Sequence, residues 1–120
     1  LNTTLLSKGS RLTLDSGHVR IGKNIDCIKV SGQTLISCKS ATNRHMRIQK
    51  ISGSGIMNIA WSCLFDAGSH NLVLAITPIL ISVKEGDLIR MSLYTGDATD
   101  SAQSGNPGNG WQTYMTVEEL

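Results

Sequence analysis

The chain has 120 residues, of which 40% are hydrophobic, so it is long enough to bury the core of a single domain. Only 17% of the residues are charged, against roughly 25% in an average domain, and the net charge is +2. This small charge, without a cluster of Lys or Arg, argues against a nucleic-acid partner. Membrane insertion is not expected either, because Pro78 interrupts the longest apolar run.

In chain order, the first predicted element is a β-hairpin. The sequences RLTLD at 11–15 and HVRI at 18–21 alternate in polarity on either side of an Asp-Ser-Gly turn. A long strand follows over 25–38, and Gly32 in its middle indicates a bulge or a bend.

Two further strands are predicted from alternating polarity. The segment 44–50 places Met46 and Ile48 on a core face, with polar residues between them on the other face. The segment 56–66 is also expected to be a strand, and Trp61 within it is interpreted as a core residue or as part of a trimer interface.

The segment 76–94 carries the clearest pattern and predicts a strand, a turn and a second strand that pair as a hairpin. Gly86 lies in the turn, where it supplies the positive φ that other residues resist. Five apolar residues from several strands are expected to fill the sandwich or a trimer axis, which the sequence does not distinguish: Met57, Ile59, Met91, Met115 and Val117.

The region 95–110 has no apolar residue larger than Ala and is expected to be a loop, followed by a last strand over 111–120. About eight to nine short strands with regular turn signals predict an all-β fold, a β-sandwich or jelly roll of antiparallel strands. Residues 1–10 are predicted to be a linker from an upstream region, and residues 11–120 to be the jelly-roll domain.

The three cysteines, Cys27, Cys38 and Cys63, form no CxxC pair. An odd number of cysteines fits poorly with a disulfide framework. We therefore expect buried, reduced thiols and a protein that is made in a reducing cytoplasm.

Aromatic residues flank the polar loop. Tyr94 ends one strand and Trp111 begins the last one, and we expect closure of the loop to bring them together. Sugars bind to aromatic faces and to side chains that hydrogen-bond their hydroxyl groups. The predicted carbohydrate-binding residues are Tyr94, Asp97, Asp100, Asn109 and Trp111. For Trp111 the alternative is a core position that shares a face with Met115 and Val117.

No cofactor and no metal site is predicted. Asp97, Asp100, Asn106 and Asn109 carry oxygen ligands of the kind calcium prefers, but their spacing matches no EF-hand, and a solvated loop is the preferred interpretation. The three histidines are scattered along the chain and are expected at the surface: His18, His45 and His70.

Enzymatic activity is not expected either. The SGSG sequence at 52–55 is not the GxSxG element of a nucleophilic serine. A glycan hydrolase needs a pair of carboxylates, for which the candidates are Asp97 with Asp100 and Glu118 with Glu119. Turn and terminus roles account for both pairs.

Four stretches together carry a family resemblance: VRIGKNIDCIKVSGQ (19–33), RHMRIQK (44–50), SVKEGDLIRMSLY (82–94) and TYMTVEEL (113–120). In this order they resemble the C-terminal head domains of trimeric bacteriophage receptor-binding and tail-fibre proteins, which have a C1q/TNF-like jelly-roll topology. The chain departs from animal C1q modules, because it has one Phe and lacks their aromatic-rich strands.

The resemblance implies a host-receptor recognition module that binds bacterial cell-surface carbohydrate, such as teichoic acid or polysaccharide, as a homotrimer. It also implies a location in the virion, in the phage tail, after synthesis in the bacterial cytoplasm. The alternative is a C1q/TNF-like trimerisation or structural interaction domain that binds no glycan.

Overall fold

The computed structural model describes residues 4–8, 11–15, 17–38, 42–66, 71–96, 101–103, 105–106, 110–111 and 113–120. These residues form strands and turns, and none of them forms a helix of the length and apolarity that crossing a membrane requires. In chain order the strands are β1 (Thr4–Lys8), β2 (Leu12–Asp15), β3 (His18–Ile21), β4 (Cys27–Ser37), β5 (Thr42–Ser52), β6 (Gly55–Asp66), β7 (Asn71–Ser82), β8 (Leu88–Thr95), β9 (Ser101–Gln103), β10 (Gly105–Asn106), β11 (Gly110–Trp111) and β12 (Tyr114–Glu119).

The strands form two sheets that pack face to face. The first sheet has the order β1-β12-β4-β7, with β9 beside the end of β4, and the second has the order β2-β3-β8-β5-β6. β10 and β11 form a separate two-stranded ribbon. All described pairings are antiparallel except that of β1 with β12, which is parallel. β1 itself lies within the segment predicted to be a linker.

The core lies between the sheets and is built by the alternation predicted from the sequence. Strands β3, β5 and β8 each turn every second residue inward, which buries Val19, Met46, Ile48 and Ile89. From the first sheet, Ile28, Val30, Met115 and Val117 meet them across the sandwich. The all-β prediction and the inward faces of 18–21 and 44–50 are confirmed.

The pairing predicted for 76–94 is wrong. β7 pairs with β4 at the edge of the first sheet, whereas β8 lies between β3 and β5 in the second. The turn between them, which connects the two sheets, is held by Lys84 N, which donates to Asp87 Oδ2 at 2.9 Å, and contains Gly86 at φ 88°. Alternating polarity requires one buried face for each strand, and two strands that face each other across a core satisfy it as well as a hairpin does.

Two irregularities set the strand registers. The β4–β7 register shifts between Val30 and Gly32, so the irregularity predicted at Gly32 is present. At the shift, one residue of β4 faces two residues of the edge strand β7, one of which is Pro78. The β5–β6 register shifts between Ile48 and Gln49, opposite Ile59 of β6.

The second shift explains why Trp61 is not in the core. One extra residue in β6 reverses which side chains face inward. Trp61 consequently pairs with Arg47 on the outer face and is 63% exposed, so its interpretation as a core residue of the sandwich is wrong. Met57 is exposed as well, while Met91, Met115 and Val117 fill the sandwich.

The three cysteines are free, but they do not share one environment. Cys38 is buried, Cys27 is partly buried and Cys63 is exposed on β6. The expectation of buried thiols therefore holds for Cys38 and is wrong for Cys63, for the same reason of register that exposes Trp61.

Candidate functional site on the outer face of the second sheet

The predicted sugar-binding loop is described only at its edges. Tyr94 is half exposed at the end of β8, and its ring meets that of His45 edge-on, with centroids 5.5 Å apart at an angle of 75°. Trp111 lies in β11, where its backbone pairs with Gly105. Asp97, Asp100 and Asn109 fall outside the described residues. Of the five predicted residues, Tyr94 is therefore the one whose side chain has a described position.

Tyr94 belongs to a larger surface formed by β8, β5 and β6. Because Met46, Ile48 and Met91 face the core, the residues that alternate with them point outward. Strand register arranges nine outward residues into three rows of three. The rows are Tyr94–His45–Cys63, Ser92–Arg47–Trp61 and Arg90–Gln49–Asn58. We refer to these nine residues as the outer face.

The third row is held together by side-chain hydrogen bonds. Arg90 Nε donates to Gln49 Oε1 at 2.7 Å, and Gln49 Nε2 donates to Asn58 Oδ1 at 2.8 Å. The two bonds fix the amide orientation of Gln49, which lies buried beneath its neighbours. These bonds use one N–H donor of Arg90 and only the oxygen of Asn58, so both side chains remain able to donate to a ligand.

The middle row combines an aromatic surface with a guanidinium group. Trp61 is exposed beside Arg47, which has no hydrogen-bond or ion-pair partner among the described residues. An indole face packs against the apolar C–H face of a sugar ring, and a guanidinium donates up to five N–H groups to hydroxyl or acidic oxygens. The pair is therefore suited to a ligand that has both an apolar face and a polar edge.

The two aromatic residues are spaced for a ligand longer than one ring. Trp61 and Tyr94 lie two strands and one row apart, which strand geometry converts to roughly 12 Å between their backbones. The surface between them is formed by His45 and Arg47. An elongated ligand that lies flat on the sheet can contact both aromatic side chains.

A second concave feature lies at one end of the sandwich. A cleft of about 490 Å³ opens between the β5–β6 hairpin tip and the turn at 83–87. Lys50 Nζ at this cleft donates to the carbonyl oxygen of Ser82 at 3.1 Å, and the positive charges of Lys50 and Lys84 are matched by Glu85 and Asp87. Its lining contains no aromatic ring, so it is a weaker candidate than the outer face.

The described residues hold no group of three or more His, Cys, Asp or Glu placed to bind a metal ion. His18 and His45 are half-buried rather than fully solvated, and His45 is in contact with Tyr94. His70 lies outside the described residues. The chemistry of the outer face is accordingly that of hydrogen bonding, stacking and charge.

Most of the outer face was not anticipated as a site. The sequence indicated that the residues alternating with Met46 and Ile48 face away from the core, and the structure confirms this. Nothing in the sequence indicated that Arg47 would lie between Trp61 and Ser92, because that arrangement depends on the pairing of three strands. Trp61 itself was placed on the wrong side of its strand.

No protein-family model and no curated protein matches the sequence. Solved structures do match the fold. Murine APRIL, determined at pH 5.0, aligns with a TM-score of 0.71 at 12% sequence identity, over 94% of this chain and 80% of that chain. Eiger TNF from S. frugiperda aligns with a TM-score of 0.69 at 15% identity, over 91% of this chain and 68% of that chain. The chain therefore has a TNF-like jelly-roll fold, which confirms the predicted fold class.

Proposed function

We propose that this chain is the recognition head of a homotrimeric bacteriophage tail protein, and that it binds bacterial cell-surface carbohydrate on the outer face without catalysing a reaction. The observation that carries the proposal is the exposed Trp61 beside Arg47, with Tyr94 one row away. The sequence resemblance over 19–33, 44–50 and 82–94 supports the phage-tail setting.

The size of the expected stacking contribution follows from the exposure of Trp61. An aromatic side chain offers roughly 150–250 Å² for burial, and about two thirds of the Trp61 surface is accessible. A sugar that covers one face of the ring would remove roughly 50–75 Å² from water, which corresponds to about 1–2 kcal/mol. That is about a 5–30-fold change in affinity.

Support for assembly comes from the outward side of the first sheet, which is opposite to the outer face defined above. Leu80 is 64% exposed and Val73 is 53% exposed on the edge strand β7, and both lie on the side of the sheet that faces away from the core. The two side chains lie roughly 20 Å apart along the strand, and the exposed residues between them include Ala75 and Pro78. Together they form an apolar strip of a kind that is typical of a protein contact. A second copy of the chain is the occupant we propose, in a head-to-tail contact that closes after three subunits.

The same apolar face favours the second candidate function, a trimerisation domain that binds no glycan. The two functions differ in the role of the outer face of the second sheet. Under the second candidate, substitutions of Trp61 leave every property of the assembled protein unchanged.

The decisive experiment measures binding of the wild type and of Trp61→Ala to immobilised bacterial cell-wall polysaccharides, after light scattering has established the assembled mass. Trp61→Ala is expected to weaken binding about 5–30-fold. Leu14→Ala is the matched control, because Leu14 is a similarly exposed apolar residue on the distant strand β2. Full binding by Trp61→Ala, or no binding by a correctly assembled wild type across the panel, would contradict the proposal.

A further inference from the structure

Three arginines of the second sheet, Arg20, Arg90 and Arg47, lie on one diagonal of its outward side, whereas Arg44 of β5 is buried. Arg20 of β3 pairs with Leu88, and Arg90 is the next outward residue after Leu88 on β8. Arg90 pairs with Gln49 of β5, and Arg47 is the outward residue two positions before it. Each step moves one strand across and one row along, so successive arginines are about 7–8 Å apart.

This diagonal leads directly to the aromatic part of the surface. Arg47 lies beside Trp61 in the middle row of the outer face. Tyr94 lies one row further along β8. The stacking surface therefore adjoins the Arg47 end of the diagonal.

The outer face has no carboxylate of its own to balance its arginines. Its nine residues include Arg47 and Arg90, and none of the nine is Asp or Glu. The positive charge that the outer face offers to a ligand is therefore that of Arg47 and Arg90.

Two cations elsewhere on the molecule are paired with carboxylates. On the outward side of the first sheet, Lys29 Nζ lies 3.6 Å from Glu118 Oε2. Arg11 Nε lies 3.7 Å from Glu119 Oε2 at the sheet edge. Arg47 has no such partner among the described residues, and Arg90 is bonded there through Nε to a neutral amide, which leaves its terminal nitrogens as donors.

The chemistry of these cations selects for acidic groups. The guanidinium forms a planar fork that matches the two oxygens of a carboxylate or a phosphate, and it stays charged at every physiological pH. The diagonal contains arginines and no lysine. Repeated guanidinium groups at a regular spacing match a polymer whose acidic groups also repeat.

We propose that the carbohydrate bound by this chain is an anionic polymer, whose carboxylate or phosphate groups are held by Arg47 and Arg90 while a sugar ring stacks on Trp61. This inference rests on the proposed function and adds the chemical class of the ligand. It makes binding sensitive to salt, because exposed charge pairs are screened at high ionic strength.

The test compares three immobilised probes with the assembled protein: a glycerol-phosphate teichoic acid, polygalacturonate and neutral dextran. One of the two acidic polymers is expected to bind at least about 10-fold more tightly than dextran, and the better of the two identifies phosphate or carboxylate as the recognised group. Raising NaCl from about 50 mM to about 500 mM is expected to weaken that binding and to leave dextran unaffected.

Arg47→Gln tests the residue itself. It is expected to weaken binding of the acidic polymer about 10-fold, whereas Arg47→Lys, which keeps the charge but loses the fork, gives an intermediate loss. Lys23→Gln is the matched control, because it removes the same charge from an exposed turn that is not part of the outer face. Since Arg47 has no partner among the described residues, these variants are expected to fold, which the assembled mass verifies.

The outcomes separate this inference from the proposed function. If a neutral glycan binds in a manner that depends on Trp61, and Arg47→Gln behaves like Lys23→Gln, the inference is overturned while the proposed function stands. If the acidic polymer binds through Arg47 but Trp61→Ala has no effect, charge recognition stands and the stacking site falls. Equal binding of double-stranded DNA and of the acidic polysaccharides would overturn the assignment to a glycan.

Discussion

Gly32 is the position where one added methyl group should be most informative about the core. It lies in β4 at the register shift and pairs with Met115 and Ile76. A Cβ atom at this position would lie 2.8 Å from Met91 Sδ and 3.3 Å from the carbonyl oxygen of Tyr114. Non-bonded heavy atoms prefer about 3.5–4.0 Å, so the sulfur of Met91 must move by roughly 1 Å.

The net cost of Gly32→Ala is the difference of two terms. Overpacking of a core typically costs about 1–3 kcal/mol. Replacing a strand glycine by alanine returns about 0.5–1 kcal/mol, because the unfolded chain loses freedom and Gly32 has no left-handed φ that alanine would resist. We therefore expect a loss of about 1–2 kcal/mol in the free energy of unfolding.

A double-mutant cycle with Met91→Ala identifies the cause. Met91→Ala alone should cost about 2–5 kcal/mol, because it leaves a cavity at a buried position. In the double variant the new methyl group occupies part of that cavity, so the combined loss should be smaller than the sum by at least about 1 kcal/mol.

The assay is urea unfolding at one fixed protein concentration, because the proposed assembly would make apparent stability depend on concentration. Gly53→Ala is the control, since a Cβ atom there meets nothing within 4 Å, and it should be neutral or stabilising by up to about 1 kcal/mol. Additive losses in the cycle, or a Gly32→Ala variant as stable as the wild type, would refute the close approach of Gly32 to Met91.

Two further predictions concern the core and the assembly. Thr34 Oγ1 and Thr113 Oγ1 share a buried hydrogen bond of 3.1 Å, so Thr113→Val should cost about 1–3 kcal/mol in the free energy of unfolding measured with urea. Thr34→Val should then cost less in the Thr113→Val variant than in the wild type, because its partner is already lost. Strictly additive losses would show that the bond is unimportant. Leu80→Glu should lower the assembled mass in light scattering, because it places a charge on the apolar face of the first sheet, whereas Leu14→Glu on β2 should not; an unchanged mass for both variants would move the contact elsewhere.

The sequence predicted the features that depend on neighbouring residues. Alternation specified the inward side chains of HVRI and the inward Met46 and Ile48 of RHMRIQK, but not the burial of Arg44 and Gln49. The turn after Lys84 was recognised from Gly86. These features depend on one strand or one turn at a time. Their physical causes, burial of one strand face and the conformational freedom of glycine, act over a few residues.

Strand partners were not predictable in the same way. The two arms of 76–94 have equivalent alternation whether they pair with each other or face each other across the core. The outer face poses the same difficulty, because Arg47 and Ser92 are far apart in sequence and meet only through the β5–β8 register. Long-range pairing is decided by the packing of the whole sandwich rather than by any single segment.

Trp61 shows how a local irregularity affects the interpretation of a candidate binding residue. Uninterrupted alternation through β6 would place it on the same side as Ile59, which packs partly against the core. The shift at Ile59 turns Trp61 to the opposite side, beside Arg47. A bulge of one residue leaves no reliable mark in a sequence that is already rich in apolar residues.

The two outward surfaces of the sandwich suit opposite roles. Burying Leu80 or Val73 against a second copy gains free energy in proportion to the apolar area covered, about 25 cal/mol per Å². Burying Arg47 in the same way would remove a charge from water without an acidic partner, at a cost of several kcal/mol. Because Trp61 shares a row with Arg47, a subunit contact that covered the tryptophan would also have to cover the arginine. An acidic glycan would cover both favourably, since it would bring the countercharge with it. This asymmetry is why we propose assembly through the first sheet and ligand binding on the second.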